Sequence, residues 1–377
     1  MRLLFIDFTL PQLLRDGDIP VGGWAVQLKI LLIALSKAGH KTGVLAWKGA
    51  SDYVGPQSIC DILDTYDRSR GIKKLRLFYY FIPSLIAAAR AYNPDVIVQS
   101  CAALNTGLMA FVARILGVPF VHRLAADSDV DDRCKSYLTR LELISFRYGL
   151  KNAKLIICQN GYQEAQMRRA YPAKRLLRLK NAVEVSPASK QPCETQSKGY
   201  IAWAGGFRYQ KNLALLNRIA RELPSIQFRV AGVLSGPPDP ETTAAIAGLS
   251  QLPNVQILGY VKRASIFEFL AGARALLSTS RFEGFSNTFL EALACGTPVI
   301  APSTVDPDSM IADNDLGLIA REDNELVSCV RKVYDLSERC YTEMSLRCRQ
   351  YVEVNHESGL AVRDLIASIE PLIRAHA

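Results

Sequence analysis

The sequence predicts an α/β protein made of two doubly wound parallel-sheet domains facing across a cleft. Three observations lead there. Short apolar runs alternate with segments of helical apolar spacing along most of the chain, as in parallel strands joined by crossover helices. The chain is 377 residues long, and at roughly 100–200 residues per domain that length suits two. Residues 186–199 are polar, hold two prolines and lack periodicity, so they divide the chain as a linker would. The expected layout is a first domain over 1–185, a second over 200–355, and a helix over 356–377 placed to pack back on the first.

Leu3 to Asp7 reads as a buried first strand, and a polar loop runs from it to Gly22 and Gly23. Trp24, Leu28, Leu31, Leu32 and Leu35 then recur at helical spacing until Gly39 ends the helix. Lys41 to Trp47 is the second strand. Lys73, Lys74 and Arg76 precede the aromatic run Phe78–Phe81, which suits either a helix packed on a sheet or a membrane interface. Strands follow at Asp95–Val98, Val118–Leu124 and Lys154–Cys158, with helices over Gly107–Leu116 and Leu141–Gly149 between them. The loop Ala125–Asp132, dense in aspartates, lies at the C-terminal end of a strand, the edge of an open α/β sheet that carries function.

The second α/β run begins with a strand at Tyr200–Ala204, a loop over 205–212 and a helix through Leu223. Strands are expected at Ile226–Ala231, Val255–Leu258 and Ala275–Ser278. Asn287 to Cys295 reads as a helix capped by Asn287 and stopped by Gly296, and Pro298–Ala301 opens the next strand. From Ser309 onward the chain reads as mostly helical.

Composition narrows the classes. Hydrophobic residues make up 49% and charged residues 21%, enough apolar material for two cores and too little charge for disorder. No apolar run reaches the roughly 18 residues of a membrane span, and the first residues turn acidic too soon for a signal peptide. The nine cysteines are scattered and odd in number, which fits a reducing cytosol rather than a disulfide framework, and no metal cluster is readable. The net charge of +9 is uneven. Residues 1–184 hold 26 Lys and Arg against 15 Asp and Glu, a net +11, and the remainder holds 19 against 21, a net −2. A basic first half points to an anionic partner, with a membrane surface ahead of nucleic acid, for which no recognised motif appears.

The stretch Ser278–Pro302 carries the chemistry. It sets Glu283 in a strand-to-helix loop and Glu291 on the helix that follows. The first turn of that helix offers unpaired N–H groups and the positive end of its dipole, both suited to phosphate. An acidic group on each side of an anion site matches a nucleotide sugar, with hydroxyls at both ends of a diphosphate.

Glu283-Gly284-Phe285 followed by Glu291, within Glu291-Ala-Leu-Ala-Cys-Gly-Thr-Pro-Val-Ile-Ala301, resembles the E-x7-E motif of the retaining GT-B glycosyltransferases of family 4. Gly22-Gly23 resembles that family's GG loop, and Gly205-Gly206 to Lys211-Asn212 resembles its G-R-x-x-x-x-K-[GN] loop. The resemblance is dense over 199–302 and thin over 1–180. It implies that Lys211 neutralises the leaving diphosphate, Glu283 holds the donor sugar, Glu291 holds the ribose, and Gly284, Phe285, Ser286 and Asn287 supply backbone donors. The family arginine falls on Gly206, with Arg208 two residues on. The family histidine falls near Ala125, with His122 earlier in the strand, so Asp127 and Asp129 become the candidates for touching the sugar or the acceptor hydroxyl. Asn181 resembles the asparagine of the family's N-G-V-D.

The expected function is transfer of a sugar, with retention and without a metal or other cofactor, from a nucleoside diphosphate to a glycan or lipid-linked acceptor. The setting implied is bacterial-type cell-envelope polysaccharide or glycolipid synthesis, in the cytoplasm or on the inner face of the membrane. The competing readings are a non-catalytic sugar-nucleotide binding or scaffold protein and a GT-B-fold sugar-nucleotide epimerase.

Overall fold

The computed structural model describes residues 1–15, 22–56, 59–73, 75–184, 199–236 and 239–375. It comprises two compact units, one of Met1–Ala182 with Ser358–Ala377 and one of Val183–Glu357. All but the last residue of the expected linker lie outside the described residues, as does Lys74.

The first unit holds a seven-stranded sheet. Its strands are β1 (Arg2–Ile6), β2 (Lys41–Ala46), β3 (Asp61–Asp64), β4 (Val96–Ser100), β5 (Phe120–Arg123), β6 (Leu155–Cys158) and β7 (Leu176–Arg178). They lie in the order β3-β2-β1-β4-β5-β6-β7, all parallel. Leu3, Leu4 and Phe5 are fully buried, as expected of a central strand covered by helices on both faces. One face packs on the helix Gly23–Lys37 through Leu28, Leu32 and Leu35, joined by Val362, Leu365 and Ile369 of the C-terminal helix Ser358–Arg374. The other face packs on the helices Ile82–Tyr92, Leu104–Leu116 and Arg140–Asn152.

The second unit holds six strands: β8 (Tyr200–Ala204), β9 (Phe228–Ala231), β10 (Val255–Gly259), β11 (Ala273–Leu277), β12 (Val299–Pro302) and β13 (Gly317–Ala320). Their order is β10-β9-β8-β11-β12-β13, again parallel. The strand order reverses between β8 and β11, and in open α/β sheets ligands bind outside the strand ends at such a point. The helix Asn287–Ala294 follows β11, with Phe289, Leu290, Leu293 and Ala294 buried in the core. Each fully buried leucine or phenylalanine of this kind stabilises the fold by roughly 1.5–3 kcal/mol. Gly296 ends the helix at φ +77°, where a side chain would be strained.

Three local expectations are corrected. Asn287 is the first residue of its helix, and Ser286 is the N-cap, without a side-chain capping bond. Gly23 starts its helix with Gly22 as the N-cap, so the loop ends one residue earlier than expected. The region after Ser309 contains β13, a short edge strand inside what reads as helix.

Candidate active site

The loop after β8 and the loop after β11 meet at the reversal point of the second sheet. Lys211 Nζ stands 2.5 Å from Glu283 Oε1, and both side chains are mostly buried. Several bonds fix the pair. Thr279 Oγ1 donates to the Lys211 carbonyl at 2.8 Å and accepts from Trp203 Nε1 at 3.0 Å. Gln210 Nε2 donates to the Phe282 carbonyl at 2.7 Å, and the Arg281 amide donates to the Gln210 carbonyl at 2.9 Å. Arg281 stacks on the Tyr209 ring at 4.0 Å and pairs with Glu241 at 2.5 Å. The two loops are thus stapled by main chain and side chain together. Beside them lies a recess lined by Trp203, Lys211, Ser278, Ser280, Ser286 and Thr288, at the start of the helix Asn287–Ala294.

Glu291 lies on that helix and is buried. Arg263 pairs with it at 2.5 Å. Burial raises the Glu291 carboxyl above its ordinary range, and the Arg263 charge opposes the rise. Gly284, Phe285 and Asn287 fall between the two glutamates on the turn into the helix. At Gly206, where the resemblance calls for arginine, a Cβ would sit 2.8 Å from Ser235 Cβ. The space for a side chain at 206 is taken by Ser235. Arg208 is exposed at the start of the turn that carries Lys211.

In the first unit the aspartate loop follows β5. Asp127 Oδ1 accepts from Asn160 Nδ2 and from Gln163 Nε2, each at 2.9 Å. Burial pushes its carboxyl up to about 6, against the pull of those two bonds. Asp129 is spent on structure, accepting from the Ala125 and Ala126 amides at 2.8 and 3.0 Å and from the Tyr137 hydroxyl at 2.8 Å. His122 is fully buried, its Nδ1 2.9 Å from Gln99 Oε1 and its ring edge-on to Phe146. Burial lowers it to about 3, so it is a neutral core histidine. Asn181 accepts from the Arg123 guanidinium. Gly22 and Gly23 are exposed at the start of their helix. Among the described residues no three His, Cys, Asp or Glu side chains gather as metal ligands.

Sequence reasoning passed over Gln210, Thr279, Arg263, Asn160 and Gln163. Asn160 alone left a local trace, as the cap before the helix Gly161–Ala170, where its side chain accepts from the Gln163 amide.

Two family models match the chain. One is described as Glycosyltransferase Family 4 and covers 21–186, and the other as Glycosyl transferases group 1 and covers 198–336. A curated relative, O-antigen chain mannosyltransferase B of Escherichia coli, is 27% identical over 191 residues. That match takes in 47% of this chain and 50% of the relative, so it spans about half the length of that protein. Among solved structures, sucrose-phosphate synthase of Thermosynechococcus elongatus superposes with a TM-score of 0.76 at 18% identity, over 100% of both chains. Anabaena HepE in complex with UDP-glucose gives 0.75 at 15% identity, over 98% of this chain and 100% of that one. Both likenesses concern the fold.

Proposed function

The chain belongs to the family 4, group 1 glycosyltransferases of GT-B fold, and on that premise we propose that it moves a hexose-type sugar from a nucleoside diphosphate to a glycan or lipid-linked acceptor, with retention of configuration. The observation that carries this reading is the stapled Lys211–Glu283 pair at the reversal point of the second sheet, next to the start of the helix bearing Glu291. A donor diphosphate placed at the recess draws Lys211 to its developing negative charge and frees Glu283 for the sugar hydroxyls. Positive charge aimed where charge builds in the transition state is worth most in such a partly dry site. Glu291, steadied by Arg263, is placed for the ribose hydroxyls. Asp127, at the strand edge of the first unit, is the candidate to meet the acceptor hydroxyl. No step in this scheme calls on a metal or other cofactor.

The curated relative acts on O-antigen chains by name, and HepE is seen with UDP-glucose. The second supports a nucleotide-sugar donor, and the first supports a role in envelope polysaccharide or glycolipid synthesis. No helix among the described residues is long and apolar enough to cross a membrane. We place the protein in the cytoplasm, working at the inner membrane face through the basic first unit.

A screen of nucleotide sugars for binding and slow donor hydrolysis tests the reading. One donor is expected to bind and be hydrolysed by the wild type. Lys211→Ala and Glu283→Gln should lose roughly 100- to 1000-fold in rate with the fold intact. Wild-type turnover in both variants would sink the site. Binding without hydrolysis or transfer to any acceptor would favour a non-catalytic sugar-nucleotide protein, and an altered nucleotide sugar as product would favour an epimerase.

A further inference from the structure

Arg123 is a buried cation without an anion. It ends β5, and only 5% of it is exposed. Its guanidinium donates to Asn181 Oδ1 and lies over the Trp24 ring at 5.2 Å. No carboxylate of the described residues pairs with it. Burial lowers it to about 10 from an ordinary 12.5, the direction expected of a charge without a counter-charge. Buried charges are normally paired, because removing one from water is costly.

Trp24 adds a second mismatch. Its buried Nε1 has no hydrogen-bond partner among the described residues. Both side chains line one recess, with Gln27, Leu179, Lys180 and Ser358 among the other walls. Gln27 holds the Ala182 peptide from both sides, donating to its carbonyl at 2.8 Å and accepting from its amide at 3.0 Å. That clasp fixes the backbone next to Asn181, and so the wall on which Arg123 rests. Exposed Lys180 adds positive charge at the rim. A charged donor, a neutral donor and a basic rim border one recess, with no acidic side chain among the lining residues.

We propose that Arg123 and Trp24 form a site for one small anionic group, a phosphoryl or a carboxylate carried by the acceptor. The assignment to the acceptor rests on the transfer reading above, whereas the anion site stands on the geometry of the first unit. A guanidinium takes two oxygens of such a group side by side, and the indole N–H supplies a third contact.

The test titrates the full chain with inorganic phosphate and, separately, with glucuronate, following thermal unfolding and tryptophan emission. At least one probe should raise the wild-type Tm saturably. Arg123→Met should weaken that response tenfold or more, and Trp24→Phe, which removes the Nε1 donor and leaves the charge, severalfold. Lys332→Ala, an exposed lysine of the other unit away from the donor site, should respond as the wild type does. Without any anion, Arg123→Met should melt at or above the wild type, since it removes an unpaired buried charge. A clearly lower melting point would make Arg123 a structural brace for Asn181 and overturn the site, as would no saturable response of the wild type to either probe. Which probe binds separates a phosphoryl from a carboxylate source. UDP binding should be unchanged in Arg123→Met, and its loss would move the site to the donor and overturn the acceptor assignment. None of these readouts requires turnover, so failure of the site and failure of the transfer reading remain distinct. Failure of Arg123→Met to fold would count with a lower melting point and overturn the site.

Discussion

Asp127 is a carboxyl held by two amides in a half-buried loop, and its proton has a measurable consequence. Its folded pKa, raised to about 6 from 3.8, means that the native state holds the proton more tightly than the unfolded chain. Stability from this group is therefore fully present at low pH. It declines as pH rises from about 4 to about 6, then stays level. Asp127→Asn cannot ionise and keeps an oxygen for Asn160 and Gln163. Its Tm should gain on that of the wild type across this window and hold the gain above it. Melting curves from pH 3.5 to pH 7.5 check this, and a pH-independent difference would show that Asp127 titrates as an ordinary surface carboxylate. Glu291 offers a different readout. Arg263→Met leaves the Glu291 carboxylate buried without its partner, a change that typically costs about 3–5 kcal/mol. Donor affinity should fall with it, measured by calorimetry with a nucleotide sugar. An unchanged Tm and affinity would remove Arg263 from the site.

At the scale of elements, close contacts decide where side chains fit. A Cβ at Gly107 would stand 2.5 Å from the Ser145 carbonyl oxygen, and one at Gly149 would stand 2.8 Å from the Thr106 carbonyl oxygen. The helices Leu104–Leu116 and Arg140–Asn152 therefore cross almost backbone to backbone. Gly107→Ala should force them apart and cost about 1–3 kcal/mol, read as a lower denaturation midpoint. A midpoint within error of the wild type would mean that the crossing is loose. Gly206→Ala should likewise be costly alone and largely rescued by Ser235→Gly, a coupling that a double-mutant cycle reads directly. These contacts also mark how far the sequence could be read. The central strands were legible because strands buried on both faces are continuous apolar runs, as in Leu3–Ile6 and Ala275–Leu277. Two edge strands, Asp61–Asp64 and Gly317–Ala320, escaped because each is four residues long and mostly half-buried, leaving no clear pattern. Glu283 and Lys211 stood out as separate motifs. Their pairing across 72 positions of sequence is a product of the sheet order, which no local pattern encodes.

At the scale of the molecule, the charge imbalance meets a specific surface. Ile72, Leu75, Phe78 and Tyr79 are each more than half exposed, close in sequence to Arg68, Arg70, Lys73 and Arg76. The aromatic run is thus divided. Phe81 stacks on Tyr66 at 3.9 Å and packs, half-buried, against the core, while Phe78 and Tyr79 face solvent. An exposed apolar patch with basic neighbours suits an anionic lipid surface, where each Lys or Arg contributes about 1 kcal/mol. Vesicles containing phosphatidylserine should pellet the wild type at low salt. Release should follow as salt shortens the Debye length below roughly 8 Å. A Phe78→Ser, Tyr79→Ser variant should bind more weakly at every salt concentration. Equal and negligible pelleting of both proteins at low salt would rule out this surface.

The return of the C-terminal helix to the first unit also sets an order of events during synthesis. Val362, Leu365 and Ile369 fill the face of the first sheet that also carries Leu28, Leu32 and Leu35. That core lacks one wall until Ser358–Arg374 leave the ribosome, although its sheet is made before the second unit. The second unit, continuous from Val183 to Glu357, has all its material earlier. Domains generally fold in order from the N-terminus as they are made. Here the first to emerge is the last to be completed, and through the interval its exposed leucines are a target for chaperones and for self-association. Ending translation after Glu357 should give a chain whose second unit melts near its usual temperature while the first is trimmed by protease. Equal protease resistance of both units would mean that the first closes without its final helix.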